Sequence, residues 1–174
     1  MRTKSIWIGE VKEGAWVKVT GNVAALGPLM ASQVSGRECI GFWCEVDDTV
    51  RELNGVLRKE DCGVFSIADK TGQVIVDGPF IFAPEIATEW SLDPDEHQDF
   101  LEEIGAPTDI RAAKVREELL QPGDRISVIG LAFLEPDPTS ASAGFRAAPL
   151  VLHLRGSDGR PVILGAAGAG ARLE

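Results

Sequence analysis

The sequence predicts a mainly β (α+β) fold, a small β-barrel of five to seven strands with a helical insertion around residues 84–120. Three features lead to this prediction: short apolar runs that alternate with period two, 19 Gly and 10 Pro residues that supply turns, and few long apolar stretches of helical period. With 174 residues, 44% of them apolar, the chain has the size and composition of one domain with a buried core. We expect that domain to cover residues 1–164 and a flexible tail to follow at residues 165–174.

Strands are predicted wherever β-branched and apolar residues alternate. Trp16–Val23 sets Trp, Lys and Thr against Val and Gly, and Cys39–Val46 is apolar enough to form a buried strand. Residues 24–38 are predicted to be irregular, and Asp47–Asp61 to be a loop or a wide hairpin. The remaining strands are predicted at Val64–Ile67, Gln73–Val76, Arg125–Phe133, Leu150–Arg155 and Pro161–Leu164.

A short helix is predicted at Asp95–Ile104. Pro94 is suited to the first helical position, the first turn is acidic, and Gly105 followed by Pro107 is a typical helix stop. Residues 108–120 are compatible with either helix or strand. Short strands with a helical insertion before a strand opened by Pro-Gly-Asp favour the OB fold, whose barrel also removes exposed sheet edges.

The charge balance argues against a nucleic-acid partner. With 17 basic and 27 acidic residues the formal net charge is −10, whereas nucleic-acid binders gain affinity by neutralising phosphates. Binding of single-stranded nucleic acid in an OB groove is retained as an alternative, and it requires aromatic and basic residues together on one barrel face. In the sequence only Trp16 with Lys18 and Trp43 with Arg37 come close to that arrangement.

Membrane and compartment signals are weak throughout the sequence. No apolar run approaches the ~20 residues that cross a bilayer, and the first apolar stretch is too short for a signal peptide. We therefore expect no membrane span and a cytoplasmic location. Three cysteines without a Cys-x-x-Cys pair indicate a reducing compartment. The final Leu173 and Glu174 have the form of a cloning remnant and are excluded from the fold prediction.

Three segments resemble the GIDE domain, also called the BAM (beside-a-membrane) domain. A Pro-Leu pair followed by Ser35–Ile40 is similar to the family's "PL...SG..C" segment, Phe65–Asp77 to its "F.L.D.TG...VD" hairpin, and Glu117–Gly130 to its "E..L.PGD...V.G" strand. The segments occur in the family's order and span about residues 17–164.

The resemblance implies a non-catalytic module, usually found beside transmembrane helices, that senses or recruits partners near a membrane. In mitochondrial ubiquitin ligases that carry the domain, catalysis depends on a separate RING domain, and bacterial members occur beside peptidase and effector domains. This chain departs from the ligases because three Cys and two distant His cannot form the two zinc sites of a RING. We therefore expect a protein partner or a membrane-adjacent effector, no cofactor and no ligase activity; the oligomeric state is left open.

The cysteines and histidines are weighed as a metal site or a nucleophile pair. Cys39 and Cys44 in a Cys-x4-Cys spacing, with Cys62, His97 and His153, suit tetrahedral zinc poorly, so we predict no metal and buried thiols. A Cys nucleophile would need a histidine beside it in the fold. We expect His97 to be solvated and His153 to lie on a strand face, and we predict a protein that is not an enzyme. The alternative is a Cys-dependent or metal-assisted hydrolase.

The loop that contains Ser35, Gly36 and Arg37 is the first candidate site for a ligand or partner. No strand or helix pattern requires an arginine there, and functional residues are frequent on loops. The equally weighted alternative is a loop tied to the barrel by a bond from Arg37 to Glu117 or Glu118.

The turn of residues 69–72 and the end of the following strand supply three more candidates, Asp69, Gly72 and Asp77. They are candidates because loops of OB-type barrels commonly form the binding face. Turn chemistry is the favoured explanation: Asp69 can accept amide hydrogens two residues on, and Gly72 can adopt positive φ.

Residues 89–103 are strongly acidic but lack the spacing of an EF-hand. Their apolar side chains favour a helix that packs on the barrel and turns its acids to solvent. As a functional element, this segment offers an acidic face to a basic partner.

Overall fold

The computed structural model describes residues 4–48, 57–83, 88–106, 113–136, 149–156 and 159–167. Within these ranges the chain forms thirteen strands, one α-helix and one 3₁₀ helix, and the prediction of a mainly β fold is confirmed. The strands in chain order are β1 Trp16–Ala25, β2 Met30–Ala31, β3 Glu38–Cys39, β4 Gly41–Asp48, β5 Leu57–Cys62, β6 Phe65–Asp69, β7 Gly72–Asp77, β8 Phe80–Ala83, β9 Thr88–Leu92, β10 Ala113–Leu120, β11 Arg125–Pro136, β12 Leu150–Arg155 and β13 Val162–Ala166; the 3₁₀ helix is Ile8–Glu10 and the α-helix α1 is Gln98–Glu103.

Five strands close into a barrel because β1 pairs antiparallel with both β6 and β11. The ring is completed by antiparallel pairs β6–β7 and β11–β12 and by the parallel pair β7–β12. The ring therefore runs β1-β6-β7-β12-β11. Of these five strands, β1 and β11 are the first and the fourth in chain order, and their pairing closes an OB-like barrel. β13 pairs with β11 and β8 pairs with β13, so these two strands extend the sheet beyond the ring.

Alternation along each strand fills the barrel. On β1, Val17, Val19 and Val23 are buried, while Trp16 and Lys18, which flank Val17, are partly exposed. Such alternation places every second side chain inside a closed sheet. The apolar cluster of these three valines also contains Phe65, Ile67, Val74, Val76, Ile126, Val128, Ala132 and Leu154 from the ring, and Val162 and Leu164 from β13.

Two chain segments inserted between barrel strands build a second sheet. β4 and β5 come from the connection between β1 and β6, and β9 and β10 from the connection between β8 and β11. Their order is β5-β4-β10-β9, with every pair antiparallel. Helix α1 contributes Phe100 and Leu101 to a second apolar cluster on this sheet. We call the second sheet, α1 and the loop of residues 32–37 the side unit.

The predicted helix is present but shorter than expected. It begins at Gln98, because residues 94–97 form a turn, and it ends at Glu103. The predicted stop at Gly105 is confirmed: its φ is 76°, and the amide of Ala106 donates to the carbonyl of Leu101 at 2.8 Å. This is the Schellman arrangement that satisfies the last carbonyl groups of a helix.

The structure adds strands to the predicted insertion. Residues 113–120, which fit helix or strand in the sequence, form β10, and β9 precedes the helix; residues 84–87 and 107–112 lie outside the described residues. The segment predicted as a loop or wide hairpin at Asp47–Asp61 begins at the end of β4 and ends in β5, two strands that pair antiparallel; residues 49–56 lie outside the described residues. β13 continues to Ala166, two residues past the expected start of the tail. The described residues contain no helix with the length and apolar composition needed to cross a bilayer.

Gly21 gives a test of the barrel. A Cβ atom at this position would lie 2.6 Å from the backbone oxygen of Ala68 on the neighbouring strand β6. Because two strand backbones would have to separate, we expect Gly21→Ala to lower the free energy of unfolding by about 1–3 kcal/mol in urea titrations. Gly27→Ala is the matched control, since a Cβ there meets no atom within 4 Å, and we expect a change within about 0.5 kcal/mol. Equal urea midpoints for the two variants would contradict the proposed strand contact.

Candidate functional site

Ser35, Gly36 and Arg37 lie in the loop between β2 and β3, next to a buried glutamate. Glu117 on β10 is only 1% exposed, and the Ser32 hydroxyl donates a hydrogen bond to its Oε1. The Arg37 guanidinium lies 3.7 Å from the other carboxylate oxygen, an ion pair of the kind that the alternative of a tied loop requires, and that oxygen has no hydrogen-bond partner among the described residues. Burying an unpaired carboxylate costs several kcal/mol, and these contacts therefore hold the loop against β10.

The loop also has internal hydrogen bonds that fix its shape. The Ser32 hydroxyl accepts the amides of Val34 and Ser35 at 3.2 and 3.3 Å. The backbone amide of Ser32 donates to the carbonyl of Arg37, and the amide of Gly36, at a φ of 66°, donates to the carbonyl of Ser32. The Arg37 side chain is nevertheless 55% exposed, so it remains accessible to a partner.

His97 connects the acidic segment to this loop. We expected it to be solvated, and that expectation is wrong: its ring is half-buried, with Nδ1 2.9 Å from the carbonyl oxygen of Asp93 and Nε2 3.1 Å from that of Val34. Both partners are backbone carbonyl oxygens, so the ring bridges the acidic segment and the loop. The segment and the loop together border a cleft of about 400 Å³, to which Gln33 and the acidic side chains of Asp95, Glu96, Asp99 and Glu103 contribute.

Both carboxylate oxygens of Asp69 accept hydrogen bonds from within the fold. Its Oδ1 accepts the amide of Thr71 at 2.7 Å and that of Gly72 at 3.1 Å, and its Oδ2 accepts the amide of Ile8 at 2.9 Å. Partial burial by itself raises the pKa of Asp69, but the donors of Ile8, Thr71 and Gly72 outweigh it and hold the pKa below its ordinary value. Asp69 thus closes the turn and fastens the N-terminal segment to the barrel.

The expectation that Gly72 adopts positive φ is wrong. Gly72 is the first residue of β7 and is not among the glycines with positive φ. The side chain of Asp69 organises the turn, so the backbone does not need a left-handed residue there. A small residue is favoured instead by close approach, since a Cβ on Gly72 would lie 3.3 Å from Cγ2 of Ile8.

Asp77 belongs to a charged network on the outer face of β7, β12 and β11. Its carboxylate lies 3.0 Å from Nδ1 of His153 and accepts a 2.6 Å hydrogen bond from Nε of Arg155. The same guanidinium makes two hydrogen bonds to Glu135, and the bonds to Asp77, followed by those to Glu135, raise the pKa of Arg155. His153 lies on the face of β12, as expected, and is 7% exposed. Its Nε2 has no hydrogen-bond partner among the described residues.

The structure does not bring the six candidate residues into one site. Among the described residues, no hydrogen bond or ion pair joins the loop of Ser35–Arg37 to Asp69, Gly72 or Asp77. The first group belongs to the side unit and the second to the barrel.

The cysteines are free, and two of them are buried. Cys39 and Cys44 have 0% exposure, and the thiol of Cys44 donates to the carbonyl of Lys59. Burial raises the pKa of Cys44 to about 11 and that of the half-buried Cys62 to about 12. In the described part of the chain, no three His, Cys, Asp or Glu side chains are grouped so that they could hold a metal ion.

Of the two aromatic–basic pairs considered in the sequence, Trp43 with Arg37 does not form. Trp43 is 2% exposed and lies in the barrel core cluster, and Arg58, rather than Arg37, lies 5.5 Å from its ring centroid. A pair that the sequence did not indicate forms instead between Trp7 and Lys70, with the ammonium 4.3 Å from the ring centroid. The only feature of the sequence that points to this pair is Trp7 itself, a tryptophan before the first strand to which no strand or helix pattern assigns a structural role.

Fold and sites together define the class of protein: an OB-like barrel with a side unit built from two insertions, and with polar clusters on its outer surfaces. Comparison with known proteins gave no match: no family model, no curated protein and no solved structure matches the chain.

Asp69→Ala should destabilise the protein by about 1–3 kcal/mol near neutral pH, because several amide donors lose a charged acceptor. The pKa of this carboxyl is lower in the folded state than its ordinary 3.8, so its contribution is present above 3.8 and is lost as the pH falls through the folded value. In urea titrations the free energy of unfolding of Asp69→Ala should therefore be lower than that of the native protein at neutral pH. At strongly acidic pH the two values should become equal. A difference that stays constant across the pH range would contradict this role, and Asp95→Ala on the exposed turn serves as the control.

The thiols should be unreactive in the folded protein. Because burial raises the pKa of Cys44 and Cys62 far above the solution pH, little thiolate is present at about pH 8. We expect Ellman's reagent to leave all three cysteines unmodified over an hour-scale incubation of the folded protein and to modify all three within minutes in concentrated guanidinium chloride. Rapid reaction of one thiol in the folded protein would contradict the burial and revive the cysteine-hydrolase hypothesis.

Proposed function

We propose that this chain is a non-catalytic recruitment module in which the barrel is the scaffold and the side unit binds a protein partner. One observation carries the proposal: two insertions from different barrel connections converge on one sheet with its own apolar cluster. The ring of five strands closes without either insertion. Elaborated connections on a rigid scaffold are where binding residues concentrate.

The chemistry of the side unit favours a basic partner. Asp95, Glu96 and Asp99 are exposed around the cleft beside the loop, and none of them forms an ion pair with another described residue. Complementary charge steers encounter and fixes orientation in protein complexes. In a chain of net charge −10, a partner segment rich in Lys or Arg is the complementary surface.

The resemblance to GIDE domains supports the same proposal. Its first motif, Ser35–Ile40, covers the end of the loop and β3, and its third, Glu117–Gly130, begins at the buried glutamate that holds the loop. A recruiting role near a membrane, through a membrane-adjacent effector, follows from that resemblance. Three free cysteines fit a reducing, cytoplasmic location.

The contacts of the two histidines and the burial of the cysteine thiols support a role in binding rather than catalysis. The hydrogen-bond partners of the two histidines are Asp77 and the backbone carbonyls of Asp93 and Val34, and none of them is a cysteine. A thiol nucleophile needs a lowered pKa and an adjacent base, whereas here burial raises the pKa of the thiols.

The proposal is tested by affinity capture from a lysate of the source organism, followed by titration of the purified partner. We expect one basic protein to be retained by the native chain and to bind the double variant Asp95→Asn/Glu96→Gln about tenfold more weakly, with affinity falling as salt rises. The matched control is Glu10→Gln/Glu13→Gln, which removes two exposed carboxylates from outside the side unit. The proposal would be overturned if the two double variants bound the partner with the same affinity, or if the native chain retained no protein beyond what the bare matrix retains.

A further inference from the structure

A cleft on the outside of the barrel lies between the N-terminal segment and strands β1, β6 and β11, away from the side unit. Its volume is about 370 Å³, which falls within the range of small-molecule sites. The side chains that line it include Trp7, Thr20, Asn22, Ala68, Lys70 and Arg125. An indole and two cations therefore meet in one concave surface of a strongly acidic chain.

Trp7 is an exposed aromatic side chain on a fixed backbone. It is 44% exposed, yet the amides of Ile6 and Ile8 on either side donate to the carbonyl of Lys18 and to the carboxylate of Asp69. Large exposed aromatic groups on rigid backbone are frequent at binding sites, because little conformational entropy is lost when a ligand packs on them.

The two cations are available for an anion. Among the residues that the structure describes, neither Lys70 nor Arg125 forms an ion pair, and Lys70 only lies over the Trp7 ring. One carboxylate, that of Asp69, also lines the cleft, but its oxygens accept hydrogen bonds from the turn and the N-terminal segment. Positive charge therefore exceeds negative charge in the cleft.

Two small residues, Gly21 and Ala68, also line the cleft. Thr20 and the exposed Asn22 add hydrogen-bonding groups along the same strand as Gly21.

We propose that this cleft binds a small aromatic phosphate of the size of a nucleoside monophosphate. A phosphate monoester carries a charge of about −1.5 to −2 at neutral pH, which matches the two cations better than a carboxylate does. The phosphate lies between Lys70 and Arg125, and the ring packs on the exposed part of the Trp7 indole. This site goes beyond the proposed recruitment function and shares no lining residue with the acidic cleft.

The test is isothermal titration calorimetry with adenosine monophosphate, phenyl phosphate, adenosine and inorganic phosphate. We expect the two aromatic phosphates to bind at least about tenfold tighter than adenosine or inorganic phosphate, and more weakly as salt rises. Lys70→Gln and Arg125→Gln should each lower their affinity about tenfold. Trp7→Ala should lower it about fivefold or more, whereas Trp7→Phe should keep it within about threefold.

Arg160→Gln is the matched control, because Arg160 is an exposed arginine that does not line the cleft. Thermal melts followed by circular dichroism show that each variant is folded. The proposal is overturned if neither aromatic phosphate binds at millimolar concentration, if inorganic phosphate binds as tightly, or if Arg160→Gln has the same effect as Arg125→Gln. It is also overturned if a short single-stranded oligonucleotide binds about tenfold tighter than the mononucleotide, which would indicate a nucleic-acid groove.

Discussion

The pairing of β1 with β11 is the contact on which the rest of the structure depends. It runs without interruption from Trp16 opposite Leu131 to Asn22 opposite Arg125, and it turns an open sheet into a ring. Once the ring is closed, alternate side chains must fill an interior, and the other side chains of the same strands must face outward. The outer network of Asp77 and the cleft at Trp7 both follow from this closure, because each is assembled from strands far apart in sequence.

Glu117 has the corresponding role in the side unit. It lies on β10, opposite Cys44 of β4, and its carboxylate is removed from water on a face that is otherwise apolar. Burial of a carboxylate is costly unless charge and hydrogen bonds compensate, so the loop that supplies Ser32 and Arg37 is coupled to the sheet. The two insertions are therefore joined by a polar contact as well as by apolar packing, which gives the side unit a defined shape.

Local patterns predicted most of the barrel and, in the side unit, β4 and the helix, but they did not identify β9 or β10 as strands. Period-two alternation identified β1, β11 and β12, and the stop at Gly105 follows from local chemistry alone. β10 was ambiguous because its sequence contains helix-favouring residues, and its strand conformation depends on pairing with β4 and β9. The contact of His97 with Val34 and that of Trp7 with Lys70 each join residues 63 positions apart in sequence, and such contacts leave no local pattern.

Whether a charged side chain has a partner within the fold distinguishes structural clusters from recognition surfaces. Asp69 and Glu117 have donors or cations within the fold, so their charges stabilise the turn and the loop that hold them. Lys70 and Arg125 meet no carboxylate partner among the described residues although they line one cleft. Unpaired surface charges are common, but two cations converging beside an ordered indole in a chain of net charge −10 act against the average field of the molecule. Such a local reversal favours an anion at that site, while the acidic side unit favours a cationic partner, and the closed barrel keeps the two surfaces apart.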